Sequence, residues 1–266
     1  MNLELEGKRA LVTGSSAGIG EAIARAIAAE GATAIVHGRN AARANAVGEA
    51  IRAAGGKADV VLGDLSTEEG AAAVGREALA SGPVDILVNN AGSYDPTTWD
   101  DATSEAWIKT YESDVVSAFR LTQALMPGMR ERGWGRIIFI GSASGWQPMA
   151  TQPQYCAAKG AMLSMTVSLA RHLRGTGVTS NIVTPGLIDV PSNRAFWTEM
   201  NKTRHFGDSW EEIEKAVVGE LLPNDVGLMG KPEDLGAIVA FLASPLSRFV
   251  SGANWRVDGG STLSIN

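Results

Sequence analysis

The sequence predicts an α/β chain: a doubly wound, seven-stranded parallel sheet with helices on both faces. Three observations lead there. Short apolar runs alternate with longer segments of helical period along the whole chain. The 266 residues, 45% of them hydrophobic, suit a single domain spanning 1–266. No repeat, low-complexity tract or interdomain linker breaks the alternation.

In order, the strand candidates are residues 10–13, 33–37, 58–62, 86–89, 136–140, 179–184 and 254–257. Such short, apolar, β-branched runs fit strands buried on both faces. Between them lie helical patterns at 18–30, 41–54, 67–80, 104–131, 153–174 and 232–243, several opened by a Ser, Thr or Asp cap. One stretch, 186–230, is irregular and carries Phe196, Trp197, Met200, Phe206 and Trp210, with two short helical patterns near 192–202 and 209–220. It follows a strand's carboxyl end, where doubly wound sheets bind ligands, so residues 187–230 are expected to form a lid over a substrate site.

Composition excludes several classes. A formal charge of -6 repels a phosphate backbone on average, so no nucleic-acid partner is expected. Cys156 is the only cysteine, and His37, His172 and His205 offer no metal-ligand cluster, so neither an internal disulfide nor a metal site is expected. The start MNLELEGKRA has no apolar core of signal-peptide length, and no apolar run approaches a membrane span, which suggests a soluble, cytoplasmic protein.

The first strand runs into Thr13-Gly14-Ser15-Ser16-Ala17-Gly18-Ile19-Gly20 and then an alanine-rich helix. Gly14 permits a sharp turn, Gly18 removes a Cβ that would block a pyrophosphate, and Gly20 lets the helix pack closely on the sheet. Backbone N–H groups at the helix start, around Ser15, Ser16 and Ile19, then face phosphate charge. Strand, turn and helix together supply the context that a glycine triplet alone lacks.

Tyr155 and Lys159 stand four residues apart, one helical turn, on the same face. A free tyrosine, with a pKa near ~10, is a poor acid–base catalyst at neutral pH, but a cation about 4 Å away favours a phenolate by roughly 4 kcal/mol at an effective dielectric of about 20. Ser142 follows the apolar strand 136–140 and would project its hydroxyl from the strand's carboxyl end into the same crevice.

These motifs, in this order and covering nearly the whole chain, resemble the short-chain dehydrogenase/reductase family, whose fold is of the Rossmann type. The resemblance implies interconversion of a carbonyl and a secondary alcohol by hydride transfer to or from NAD(P). Tyr155 would be general acid/base, Lys159 would ease its proton loss and hold the nicotinamide ribose, and Ser142 would orient substrate. Asn90, Ala91 and Gly92 look like the family's Asn-Asn-Ala-Gly element along the cofactor, Asp64-Leu65 like its pair beside the adenine, and Pro185, Gly186 and Ile188 like the segment holding the nicotinamide. A homotetramer through the helices 104–131 and 153–174 is also implied. A non-catalytic cofactor-binding regulator on the same fold is the alternative, opposed by the joint presence of Ser142, Tyr155 and Lys159.

The chain departs from the family at Asp114, where Asn is usual, and by lacking the Thr that commonly follows Pro-Gly. An ionised Asp114 would favour protonated Lys159 and oppose a Tyr155 phenolate. At the end of the second strand His37-Gly38-Arg39-Asn40 has no acid to bond ribose hydroxyls, and Arg39 can meet a 2′-phosphate, so NADP(H) is expected over NAD(H), although Ala17 stands where many NADP-type relatives carry a basic residue. Ser144, Tyr94, Trp146, Met149, Trp197 and Trp210 are candidates for the substrate pocket.

Overall fold

The computed structural model describes residues 2–263. Its strands are β1 (Arg9–Val12), β2 (Thr33–Gly38), β3 (Lys57–Leu62), β4 (Ile86–Asn89), β5 (Gly135–Ile140), β6 (Val178–Pro185) and β7 (Asn254–Val257). They form one parallel, seven-stranded sheet in the order β3-β2-β1-β4-β5-β6-β7. Strand order reverses between β1 and β4, which opens a crevice at their carboxyl ends.

Alternate strand residues feed two cores, as a pleat of period two requires. Ala10, Val12, Ile86, Val88, Ile138 and Ile140 pack beneath α1 (Gly18–Ala29), α2 (Ala41–Ala53) and a late helix, Pro232–Ala243. Leu11, Leu87, Ile137 and Phe139 pack on the opposite face beneath α3 (Glu68–Ala80) and later helices. This two-sided burial explains why the inner strands β1, β2, β4 and β5 are nearly continuously apolar in sequence.

The expected helix 104–131 is interrupted. It consists of α4 (Ser104–Tyr111), a π-helical turn (Glu112–Val116) and α5 (Ser117–Glu131). A hydroxyl accompanies the distortion: Ser117 Oγ donates to Ser113 O at 2.6 Å, so a side chain competes for a carbonyl along the helix. The fully buried Asp114 sits in the widened turn.

A four-residue helix that the sequence pattern did not reveal, α6 (Ala143–Trp146), separates β5 from α7 (Pro153–His172). After β6 come α8 (Pro191–Arg204) and α9 (Trp210–Ala216), which continues as a π-helical turn over Val217–Leu221. These elements have a small core of their own, built from Trp197, Ile213, Val217, Val218 and Met229. The segment leaves and rejoins the sheet at one parallel bridge, Ile188 with Gly230. The late helix is α10.

Candidate active site

At the end of β1, Gly14 and Gly18 adopt φ of +64° and +60°, the left-handed region that the turn into α1 requires. A Cβ on Gly20 would lie 2.6 Å from Gly14 O and 2.8 Å from Ser15 Cα, so α1 can approach the turn only with glycine there. The helix start has no side-chain cap, since the preceding Ala17 cannot supply one. Open N–H groups at a helix N-terminus and a glycine turn beside them fit a pyrophosphate.

Internal bonds hold the turn. Gly14 N donates to His37 Nδ1 at 3.1 Å, so the ring proton resides on Nε2, which donates to Gly63 O at 3.2 Å. One imidazole thus ties the ends of β1, β2 and β3, and its burial lowers its pKa from 6.5 to about 4, leaving it neutral. The sequence places His37 at the end of the second strand and outside any metal cluster but does not reveal this bracing role; its position at a strand end beside Gly38 is the available signal. Asn90 Nδ2 donates to Thr13 O and Gly14 O, while Thr13 Oγ1 accepts from the N–H groups of Asn90 and Ala91.

Ser15 departs from expectation. Its N–H donates to His37 O, its hydroxyl donates to Val12 O and accepts from His37 N, and the residue is fully buried. Its polar groups serve the turn. Ser16 abuts Gly38 at the end of β2. Arg39 is exposed and makes no ion pair among the described residues. Asp64 accepts from Ser66 N and Oγ, bonds that hold its carboxyl below the usual range, and Leu65 beside it is buried.

Between the ends of β4, β5 and β6 and the 187–230 segment lies a cleft of about 840 Å³. Ser142, Tyr155, Lys159 and Asp114 all line it, as do Ile19, Asn90, Gly92, Pro185, Gly186 and Ile188 from the expected cofactor set. Ser142 caps α6, its Oγ accepting from Ser144 N at 3.2 Å, which leaves its own hydrogen free to donate. Gly145 brings this corner against α7, because a Cβ there would lie 2.6 Å from Lys159 C.

Lys159 is buried, with Nζ 3.3 Å from Asp114 Oδ2, donating to Ile140 O at 3.2 Å, and 5.5 Å from the centre of the Tyr155 ring. Burial opposes its charge, yet Asp114 and then Tyr155 outweigh that cost and raise its pKa above the ordinary lysine value. Asp114 Oδ1 accepts from Ser93 N at 2.8 Å and from Ser113 Oγ at 2.6 Å. Asp114 and Lys159 therefore meet directly as a buried ion pair.

Tyr94, Met149, Ser144 and Trp197 line the cleft, but two expected pocket aromatics do not. Trp146 closes the single turn of α6 that puts Gly145 against α7, and the helical rotation turns it outward, 36% exposed. Trp210 packs with the 187–230 core, its ring stacked 4.7 Å from the Arg194 guanidinium. Gln152 and Thr262 also line the cleft and were not anticipated. Cys156 is buried, in keeping with packing.

The chain's residues 8–201 match the family model for short chain dehydrogenases. The chain belongs to the short-chain dehydrogenase family. Among its relatives, 3-oxoacyl-acyl-carrier-protein reductase of Vibrio cholerae is 36% identical, the match covering 97% of this chain and 98% of the relative. D-beta-hydroxybutyrate dehydrogenase of Cupriavidus necator is also 36% identical, over 96% and 98%. A crystal structure of L-sorbose reductase from Gluconobacter frateurii, complexed with NADPH and L-sorbose, superposes with a TM-score of 0.94 at 33% identity, covering 100% of both chains. Like these short-chain dehydrogenases, this chain is an oxidoreductase acting on CH–OH groups. No described helix is long and apolar enough to cross a membrane, and the described residues contain no metal-binding cluster.

Proposed function

We propose that the protein interconverts a carbonyl and a secondary alcohol with NADP(H), using Tyr155 as general acid/base. The observation that carries this reading is the convergence of Ser142, Tyr155 and buried, charged Lys159 on one cleft beside the glycine turn. When bound, the nicotinamide supplies or accepts the hydride. In the oxidation direction Tyr155 takes the alcohol proton while Ser142 donates a hydrogen bond to the same oxygen; in reduction Tyr155 returns the proton. The Lys159 cation favours the phenolate form that takes the proton, and Asp114 fixes that cation while offsetting part of its field.

For the cofactor, the turn from Gly14 to Gly20 and the uncapped start of α1 would hold the pyrophosphate. Exposed Arg39, which makes no ion pair among the described residues, would take the 2′-phosphate, and the NADPH bound to the L-sorbose reductase neighbour supports that preference. Asp64 and Leu65 would flank the adenine, and Pro185, Gly186 and Ile188 the nicotinamide. The 187–230 segment acts as a lid. Exposed Phe119 on α5 and Val167 on α7 support assembly into a homotetramer through these helices, which light scattering would overturn by finding a monomer.

The deciding experiment follows NADPH oxidation against ketones, aldehydes and quinones. Turnover by the wild type, with a roughly thousandfold loss in Tyr155→Phe and unchanged NADPH binding, is expected. NADPH binding without turnover across the panel would favour a regulator.

A further inference from the structure

Gln152 is tightly held on the substrate side of the cleft. It precedes α7 with φ 62° and ψ 48°, a left-handed conformation that costs a side-chain-bearing residue about 1–2 kcal/mol. Strain of this kind persists where surrounding bonds impose it. Here Gln152 N donates to Thr97 O at 2.7 Å, and the side-chain Nε2 donates to Tyr94 Oη. Tyr94 in turn meets the Tyr155 ring edge-on, with centroids 5.4 Å apart. Gln152 is only 7% exposed, and its Oε1 has no hydrogen-bond partner among the described residues. The carboxamide lines the cleft three residues ahead of Tyr155.

A second orphan shares the cleft. Thr262, 5% exposed, has an Oγ1 without a hydrogen-bond partner among the described residues. A buried polar atom left unpaired costs about 1–3 kcal/mol, so two on one cavity wall mark places where a ligand completes the bonding. The charges around them narrow the ligand's chemistry. The charged groups lining the cleft are Asp114, Asp225 and Lys159, and Lys159 is already paired with Asp114. No uncommitted cation remains there to receive a carboxylate or phosphate, and an anion buried without one is strongly disfavoured. A wholly apolar ketone would leave both orphans unpaired. A hydroxyl is donor and acceptor together, so it satisfies the Gln152 carboxamide in either orientation about its Cδ as well as the Thr262 hydroxyl.

We infer that the substrates are neutral, hydroxylated ketones and their polyol products, and that Gln152 selects them by hydrogen-bonding a hydroxyl outside the reacting carbon, with Thr262 binding a further hydroxyl. This rests on the carbonyl reductase reading above and names its substrate class. The L-sorbose bound to the structural neighbour belongs to the same chemical class.

The test compares kcat/KM with NADPH for 1-hydroxybutan-2-one, butan-2-one, L-sorbose and acetoacetate. The wild type should prefer hydroxybutanone to butanone by at least roughly tenfold and prefer either hydroxylated ketone to acetoacetate. In Gln152→Met the hydroxybutanone-to-butanone ratio should fall roughly 10- to 100-fold, because the amide that reads the hydroxyl is gone. Thr262→Val, isosteric and placed outside the strained turn, should lower the L-sorbose-to-butanone ratio and provides a second reading should Gln152→Met fold poorly. A wild type indifferent to the hydroxyl, a preference for acetoacetate, or unchanged ratios in both variants would overturn the assignment while leaving carbonyl reduction intact. Failure to reduce any of the four, with NADPH bound, would instead remove the reductase reading itself.

Discussion

The two halves of the crevice treat their polar groups differently. Around the ends of β1 and β2, Gly14 N, Ser15 Oγ, Asn90 Nδ2 and both His37 nitrogens are all bonded within the protein. Across the crevice, beneath the 187–230 segment, Gln152 Oε1 and Thr262 Oγ1 are buried without a partner among the described residues. The first half derives its shape from folding alone, whereas the second is completed by what enters it. Substitutions in the first should therefore register as stability and cofactor affinity, and those in the second as turnover and selectivity.

The strongest challenge to that division is Gly145→Ala. Its Cβ would lie 2.6 Å from Lys159 C and 2.8 Å from Gly160 N, so α6 must move off α7 and carry Ser142 with it. A displacement of about 1 Å at a catalytic group can cost roughly a hundredfold in kcat. NADPH affinity, measured by fluorescence titration, should change less than threefold; a larger loss would show that the two halves are mechanically joined.

His37 sharpens the other side. Its folded pKa, about 4, lies below the unfolded value of 6.5, so the unfolded chain binds the proton first. The resulting stability is complete above pH ~6.5 and is lost as pH falls toward ~4, a total of roughly 3 kcal/mol. Urea denaturation between pH 7.5 and 4.5 should show this slope in the wild type and a shallower one in His37→Asn, which keeps an acceptor for Gly14 N but cannot be protonated. Equal slopes would mean that the imidazole is not the titrating brace.

Asp114→Asn makes a smaller change at the boundary. Removing the carboxylate 3.3 Å from Lys159 frees the cation's field to favour the Tyr155 phenolate. Activity should persist, and the basic limb of the alcohol-oxidation profile should move to lower pH. Coincident profiles, or a shift upward, would reduce Asp114 to a structural stand-in for the family's Asn. The smallest effect is expected of exposed Arg39→Ala: the ratio of kcat/KM for NADPH over NADH should fall roughly tenfold with stability untouched. A wild type favouring NADH tenfold would reject the NADP(H) assignment.

The fold was legible because the inner strands β1, β2, β4 and β5 are buried on both faces, so their apolar runs are nearly continuous, and because the glycine turn and the Tyr155–Lys159 spacing are local in sequence. What escaped was set by contacts between distant segments. Nothing near Trp146 signals that Gly145 must face α7 and so turn the indole outward. Gln152 looks like an ordinary polar residue before a helix until Thr97 and Tyr94, more than fifty positions earlier, bond it. Likewise the spacing around Asp114 suits an unbroken helix, whereas its turn is widened and its carboxylate accepts from Ser93 N, 21 positions earlier.

That widened turn also bears on how the site can be altered. A π-helical turn is, in effect, a helix with one residue inserted and the surplus accommodated locally. Deleting one residue from Glu112–Val116 would let an unbroken α-helix form with its two flanks still in phase, and the residues of the turn itself, Asp114 among them, would change place. Asp114 could not then keep Ser93 and Lys159 as simultaneous partners. An exchange of this helix with a relative's must therefore preserve its residue count before its residue identities, because a single-codon deletion would dismantle the ion pair while leaving Asp114 and Lys159 in the chain.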